Sequence, residues 1–434
     1  MEKLFQLKKH NTNVRTEVIG GLTTFFAMAY IIFVNPNFLS QTGMDHTAVM
    51  LATCVSAAIG CFLTAFMANV PFAQAPGMGL NAFFTYTICF GMGYTWQQGL
   101  AIVFISGLIF LAISISPIRK QIIDSIPAPL KAAISAGIGL FICLIGLLNA
   151  GIVTAGNNLL DLSSITSGPA LLALIGLLLT GILMAWKVKG ALFIGILVTT
   201  VIGIPMGVTN LSNVSISFEG ISIAPTFFKL SFVGLLSKGI LPLLTAIVTF
   251  AMCDCFDTVG TLIGTAGSAG MLDENGNLPR GDKALIADAV ATCTGALMGT
   301  STVTTFVESS TGISEGARTG LSSVVVGILF LLGCVLAPIA GIIPSAATAP
   351  ALIIVGMFMI GNVAKIDWSD VEVALPCFLT IAMMPFAYSI SDGIGFGFIS
   401  YTLIKMARGK FKEVPVLLYI LSALFVVMYI LAAL

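Results

Sequence analysis

Apolar runs of about twenty residues recur along the whole chain, separated by short polar turns. A run of that length is what an α-helix needs to cross a bilayer. Inside the bilayer no water meets the backbone N–H and C=O groups, so only helices or closed barrels can span it. The runs fall near Thr16–Asn35, Thr47–Val70, Phe72–Met92, Gln97–Ser116, Pro129–Ile152, Ala170–Trp186 and Gly190–Gly207. After a polar loop with short strand-like runs (Thr209–Ser237) they resume at Lys238–Ala266, Ala284–Gly299, Thr302–Arg318, Thr319–Ile343, Ala346–Val363, Val371–Ile390 and Asp392–Met406. The expectation is an all-α polytopic membrane protein of fourteen segments, with one further apolar stretch, Val414–Leu434, that either crosses or lies along the bundle. Only 9% of the residues are charged, against roughly 25% in soluble domains.

The basic residues fix the orientation. With the N-terminus inside, every Lys and Arg falls inside, Arg119 and Lys120 among them, except Lys229 and Lys238. Such a bias is the positive-inside rule, and a miscounted span in the middle would have scrambled it. The expected location is the cell membrane, multi-pass, with the N-terminus cytoplasmic. The first fifteen residues are polar and basic and lack a signal-peptide core, so the first span is expected to be retained. Net charge is zero, which gives no indication of a nucleic-acid partner.

Several chemistries are excluded. The nine Cys lie almost all inside apolar spans at spacings that fit no metal or disulfide framework, so no metal or cofactor is expected. The only histidines, His10 and His46, lie outside the spans, which removes HExxH zinc chemistry and any intramembrane His relay. An aspartyl membrane protease is poorly matched as well. The G-x-G-D motif is missing, and two acids three apart on one helix have the wrong geometry.

The spans occur twice. Segment three (PFAQAPGMGLNAFF) and segment ten (TVTTFVESSTGIS) are both short and interrupted by Gly or Pro. Segments five and twelve begin alike, IPAPLKAAISAGIGLF beside IPSAATAPALIIVGMF. Seven is odd, so the second copy is inverted. Paired interrupted segments in two inverted halves mark a secondary transporter with a midplane site. Pro76 biases Ala75 toward extended backbone, and Gly77 and Gly79 permit close approach. Each half-helix that follows then presents free N–H groups and the positive end of its dipole.

The deep acids are Asp254, Asp257 and Glu308, with Asp288, Glu315 and Asp392 nearer span ends. No Lys or Arg shares their depth in the sequence, and the nearest cation after Glu308 is Arg318. A charged carboxylate there must hold a proton, coordinate a cation or accept hydrogen bonds from a polar ligand. Asp254 and Asp257 share a helix face, and two like charges so close cannot both ionise cheaply. One is therefore expected to accept from the ligand and the other to carry a proton, in an order the spacing leaves open. Gly260 and Gly264 form a G-x-x-x-G that would let a neighbouring helix come close. Two half-helix N-termini beside carboxylates suit a planar, neutral ligand with donors and acceptors. Phe83, Phe84 and Phe306 are candidates to stack on its ring.

At these residues the chain resembles the nucleobase:cation symporter family, azaguanine-type purine permease branch, close to the bacterial guanine/hypoxanthine permeases. The matching stretches are GGLTTFFAMAYIIFVNP, APGMGLNAFF, FDTVGTL, GTSTVTTFVESSTG, TAPALIIVG and MMPFAYSISDGIGFGFISY, spread over essentially the whole chain. The resemblance implies a 7+7 inverted repeat with a short strand in segments three and ten. Its core domain would comprise residues 1–116 and 238–343, and its gate domain 117–208 and 344–434, with an extracytoplasmic loop at 209–237. It implies uptake of purine bases, hypoxanthine or guanine before adenine, with a proton, and often a homodimer. Carried over by position, Asp254 and Glu308 contact the base, Gly79, Asn81 and Ser309 shape the site, and Asp257 or Glu308 handles the proton. The alternatives are an adenine or broad nucleobase permease of the same family and, behind it, an anion carrier on the same fold, against which three deep acids argue.

Overall fold

Segments three and ten do not begin as helices: each begins as a three-residue strand, and the two strands pair. The computed structural model describes residues 2–116, 125–156, 159–166, 168–211, 221–273 and 278–433. Arg119 and Lys120, and parts of the loops at 209–237 and 267–283, lie outside the described residues.

In chain order the first half contains α1 (Val14–Met28), α2 (Ile31–Leu39), α3 (His46–Leu63), β1 (Gln74–Pro76), α4 (Met78–Ala82), α5 (Trp96–Ile115) and α6 (Ala128–Asn149). A hairpin of β2 (Val153–Gly156) and β3 (Leu159–Leu162) follows, then α7 (Gly168–Ala185) and α8 (Ala191–Gly203). The second half contains α9 (Ile240–Ser268), α10 (Gly281–Met298), β4 (Val303–Thr305), α11 (Ser309–Ser314) and α12 (Gly320–Gly333). It ends with α13 (Ser345–Ile360), α14 (Val371–Phe386), α15 (Ile390–Ala407) and α16 (Val416–Ala433). Among the described residues seven helices are long and apolar enough to cross a membrane, and four shorter apolar helices accompany them.

β1 and β4 are antiparallel, with Gln74 opposite Thr305, Ala75 opposite Thr304 and Pro76 opposite Val303. Two flanking bonds extend the ladder, Gly77 N to Thr302 O and Phe306 N to Ala73 O, both 3.0 Å. β1 runs into α4, which widens into a π-type turn from Phe83 to Gly91, and β4 runs into α11. Short strands are viable at this depth because each satisfies the other's backbone inside protein.

Packing falls into two groups. α12 packs on α1 and α3, and α10 packs on α3 and α5. α13 packs on α6 and α7, and α14 packs on α6 and α15. Close approach decides two contacts. Gly312 of α11 lies against the Gly20 carbonyl and Thr24 of α1 so tightly that any side chain there would collide. A Cβ at Gly79 would come within 2.6 Å of Ile138 Cγ2 on α6, so α4 is pressed against that helix. The α12 N-terminus is held by buried Glu17, whose carboxylate accepts from the backbone N–H groups of Arg318 (2.8 Å), Ser322 (3.3 Å) and Thr319 (3.4 Å).

At four places the structure corrects the sequence reading or adds to it. Segment one, read as a single apolar run, breaks at Ala29–Tyr30. The strand-like runs expected in 209–237 are not borne out in its described part, which carries no strand, whereas a hairpin, β2–β3, follows α6. A Cβ built at Gly260 or Gly264 meets no described atom within 4 Å, so that G-x-x-x-G seats no close helix among the described residues. The last apolar stretch is a helix antiparallel to α15: Thr402 bonds Ser422 (2.9 Å), Phe398 meets Phe425, and the Tyr429 hydroxyl reaches the Asp392 carbonyl (3.4 Å). Its first residues lie near the Glu372–Lys405–Glu413 cluster, and its far end lies beside Asp392.

Candidate functional site

The strand crossing gathers the acids into two groups. The inner group is sealed. Asp254 of α9 is 1% exposed; its Oδ2 accepts from Thr292 Oγ1 at 2.8 Å, and its Oδ1 has no partner among the described residues. Asp288 of α10 is fully buried, and its Oδ1 accepts from Thr305 Oγ1 of β4 (2.7 Å) and Gln74 Nε2 of β1 (3.0 Å). Thr258, one turn beyond Asp254, shares a hydrogen bond with Thr304 of β4 at 2.8 Å. One carboxylate therefore clasps both strands, and the other sits beside them with an open acceptor.

The outer group lines open space. Asp257 lies deep in the bundle, yet its side chain is accessible, as are Gly260, Ile263, Gly264 and Gly267 below it on α9. Glu308 stands at the start of α11, partly accessible, and its Oε1 accepts from the Tyr30 hydroxyl at 2.7 Å. Asp257, Glu308 and the Tyr30 hydroxyl lie close enough to influence one another electrostatically. Val307, Ser310, Ser314 and Glu315 are exposed along α11. Residues of α4, by contrast, are almost entirely buried. The site is thus open toward the α11 side and closed toward the α4 side.

The remaining predicted residues are placed as follows. Gly79 faces Ile138 across the α4–α6 contact. Asn81 is fully buried, accepts from the Ser301 hydroxyl just before β4, and leaves its amide nitrogen without a partner among the described residues. Ser309 is fully buried and accepts from Ala73 N at 3.0 Å, so its described bond serves the crossing. Phe84 is fully buried with its ring edge against Gly99 of α5. Phe306 is buried in the core beside β4, and Phe83 meets Phe250 edge-on at 4.7 Å.

Three residues were missed or misplaced. Tyr30 owes its position to the break in α1–α2, which no periodicity signals. Asp288 was placed near a span end, whereas α10 carries it to the strand crossing. Lys131 lies over the Phe256 ring at 5.2 Å, so a cation from α6 reaches the helix of Asp254 and Asp257, which sequence separation concealed.

Two inverted sets of seven segments, crossed at paired strands that each head a half-helix, define a secondary transporter. The solved transmembrane domain of the cyanobacterial bicarbonate transporter BicA shares this fold, with a TM-score of 0.67 over 88% of this chain and 97% of that one, at 17% identity. The murine anion transporter Slc26a9 in its inward-facing state also shares it, with a TM-score of 0.67 over 91% and 68% at 10% identity. Within that class, residues 15–396 match the Permease family (Xan_ur_permease), and the chain belongs to it. It is similar to the guanine/hypoxanthine permease PbuG of Bacillus subtilis, 45% identical over 440 residues and 99% of each chain. It is also similar to the adenine permease AdeP of Escherichia coli, 41% identical over 429 residues, 98% of this chain and 95% of that one.

Proposed function

We propose that the protein imports purine nucleobases, hypoxanthine and guanine foremost, by proton symport across the cell membrane. The observation that carries this reading is a pair of acceptors beside two half-helix starts, the second oxygen of partly accessible Glu308 and the buried Asp254 Oδ1, which has no partner among the described residues and which a base reaches once the inner group opens. A purine base brings ring N–H and exocyclic NH2 donors to such acceptors, and its ring nitrogens accept from backbone N–H groups. A polar site of this kind rejects analogues that leave its buried groups unpaired. Relatives named as guanine/hypoxanthine permeases support the substrate, and those named as adenine permeases keep adenine as the second reading. An anion would be repelled by the acids, although the fold neighbours are named as bicarbonate and anion transporters.

With the N-terminus cytoplasmic, the open side is the cytoplasmic one and the conformation is inward-open. Residues 1–116 and 238–343 form a core that carries the base. Residues 117–208 and 344–434 form the gate, which meets the core at Ile138–Gly79, Lys131–Phe256 and the 2.6 Å Lys189–Glu315 ion pair. Asp254 and Glu308 hold the base, Asn81 and Ser309 hold the crossing, and Asp257 or Glu308 carries the proton, since both reach open space. A homodimer in the bilayer is part of the same reading. Collapsing the proton gradient with a protonophore is expected to stop accumulation of labelled hypoxanthine in cells expressing the protein. Unchanged accumulation would remove proton coupling and leave the substrate reading standing.

A further inference from the structure

A half-open cavity of about 440 Å³ lies between the N-terminal arm and the segment that leads into α10, and it shares no lining residue with the carboxylate site. Lys9 and His10 of the N-terminal arm, Asn69 after α3, Arg280 before α10 and Arg318 between α11 and α12 converge on it. No Asp or Glu is among the described residues that line it. The side chains of Lys9 and Arg280 make no hydrogen bond or ion pair with described residues. Arg318 uses only Nη1, which donates to the carbonyls of Ile313 and Ala317 at 2.7 Å each, so Nε and Nη2 remain available.

The arrangement is held in place. Phe5 and Leu7 are buried against Ala65 and Leu321, which pins the arm that carries Lys9 and His10. Asn69, in a left-handed conformation (φ 53°), donates to the Phe5 carbonyl at 3.0 Å and accepts from Gly320 N at 2.9 Å, tying the arm to α12. Arg280 is itself left-handed (φ 63°) and caps the N-terminus of the 18-residue α10, so the positive end of that dipole adds to the cluster. Burial, then the charges of Lys9 and Arg280, hold the His10 imidazole below its usual proton affinity.

Three cations, Lys9 and Arg280 exposed and Arg318 half-buried, surround a cavity of mixed apolar and polar lining with no acidic side chain among the described residues that line it; they repel one another, and an anion relieves that repulsion. Two guanidinium forks favour an oxyanion with several acceptor oxygens over a single-atom ion. The volume falls in the range of small-molecule sites, well beyond what a chloride fills. We propose that this cavity binds a phosphate group, carried by an anionic phospholipid headgroup or by a soluble phosphate compound. Arg318 follows directly on α11, so the occupant bears on the half-helix that carries Glu308.

The test uses the purified full-length protein and the double variant Lys9→Gln/Arg280→Gln. Melting temperature is followed against phosphatidylglycerol with phosphatidylcholine as control, and against inorganic phosphate with chloride at equal ionic strength. The wild type is expected to be stabilised by at least one phosphate source above its control. The variant should need about tenfold more of that same probe, the loss expected when charge-assisted bonds are removed. A response to phosphatidylglycerol alone assigns a lipid headgroup, and a response to inorganic phosphate alone assigns a soluble ligand. No preference for either source over its control, or equal responses from wild type and variant, would overturn the proposal.

Discussion

Glu308→Gln is expected to reduce purine uptake by about 100-fold or more while the protein still reaches the membrane. The substitution keeps the shape and replaces one carboxylate oxygen by an NH2 group. The amide oxygen can go on accepting from the Tyr30 hydroxyl, which lies 2.7 Å from Oε1 in the native protein. The NH2 then points where a base N–H must donate, setting donor against donor. Losing a charge-assisted bond costs about 1.5–3 kcal/mol, and a mismatched buried polar group about 1–3 kcal/mol more. The proton-carrying role falls away as well, because an amide does not titrate in the working range. No other side-chain hydrogen bond of Glu308 supports the fold among the described residues, so expression and membrane insertion should persist. Initial rates of labelled hypoxanthine uptake, normalised to protein in the membrane, decide it. Wild-type rates would remove Glu308 from the site.

Asp254→Asn is the second large effect, and it isolates binding. The Asn oxygen can keep the bond from Thr292, which the native Oδ2 accepts at 2.8 Å. Its nitrogen then replaces Oδ1, the buried acceptor that has no partner among the described residues. Hypoxanthine affinity of the purified variant, measured by calorimetry, should fall about 10- to 100-fold. Unchanged affinity would show that Asp254 does not contact the base. The folded state should survive, because the strand crossing is fastened by Asp288, which holds Gln74 and Thr305, and not by Asp254.

These assignments differ in how far the sequence alone supports them. Segment count and inversion were readable because apolar length and basic-residue bias are properties of composition along the chain. The broken segments three and ten were readable because Pro76, Gly77 and Gly79, and the β-branched run before Glu308, carry local backbone preferences. Tyr30 was not readable, since a two-residue break between α1 and α2 leaves the apolar pattern intact. Asp288 was misplaced because depth was judged from distance to the span end. α10 starts at Gly281 and carries the residue nearly two turns into the bundle before β4 meets it. Lys131 was separated from Phe256 by more than a hundred residues, and only the α6–α9 approach brings the cation to the ring. Gly260 and Gly264 were read as a packing motif, yet the same small residues equally suit an open wall, which is what α9 presents. The basic cavity is a product of the fold, because Lys9, Arg280 and Arg318 belong to three distant loops.

The central claim is that this chain carries purine bases through a site between two crossed half-helices. Uptake of labelled hypoxanthine, guanine, adenine, xanthine and uracil by cells that lack purine permeases, with and without expression of this protein, tests it most directly. Saturable accumulation of hypoxanthine or guanine, with uracil at the background of cells without the protein, is the predicted result. No purine base accumulating above that background would contradict the account.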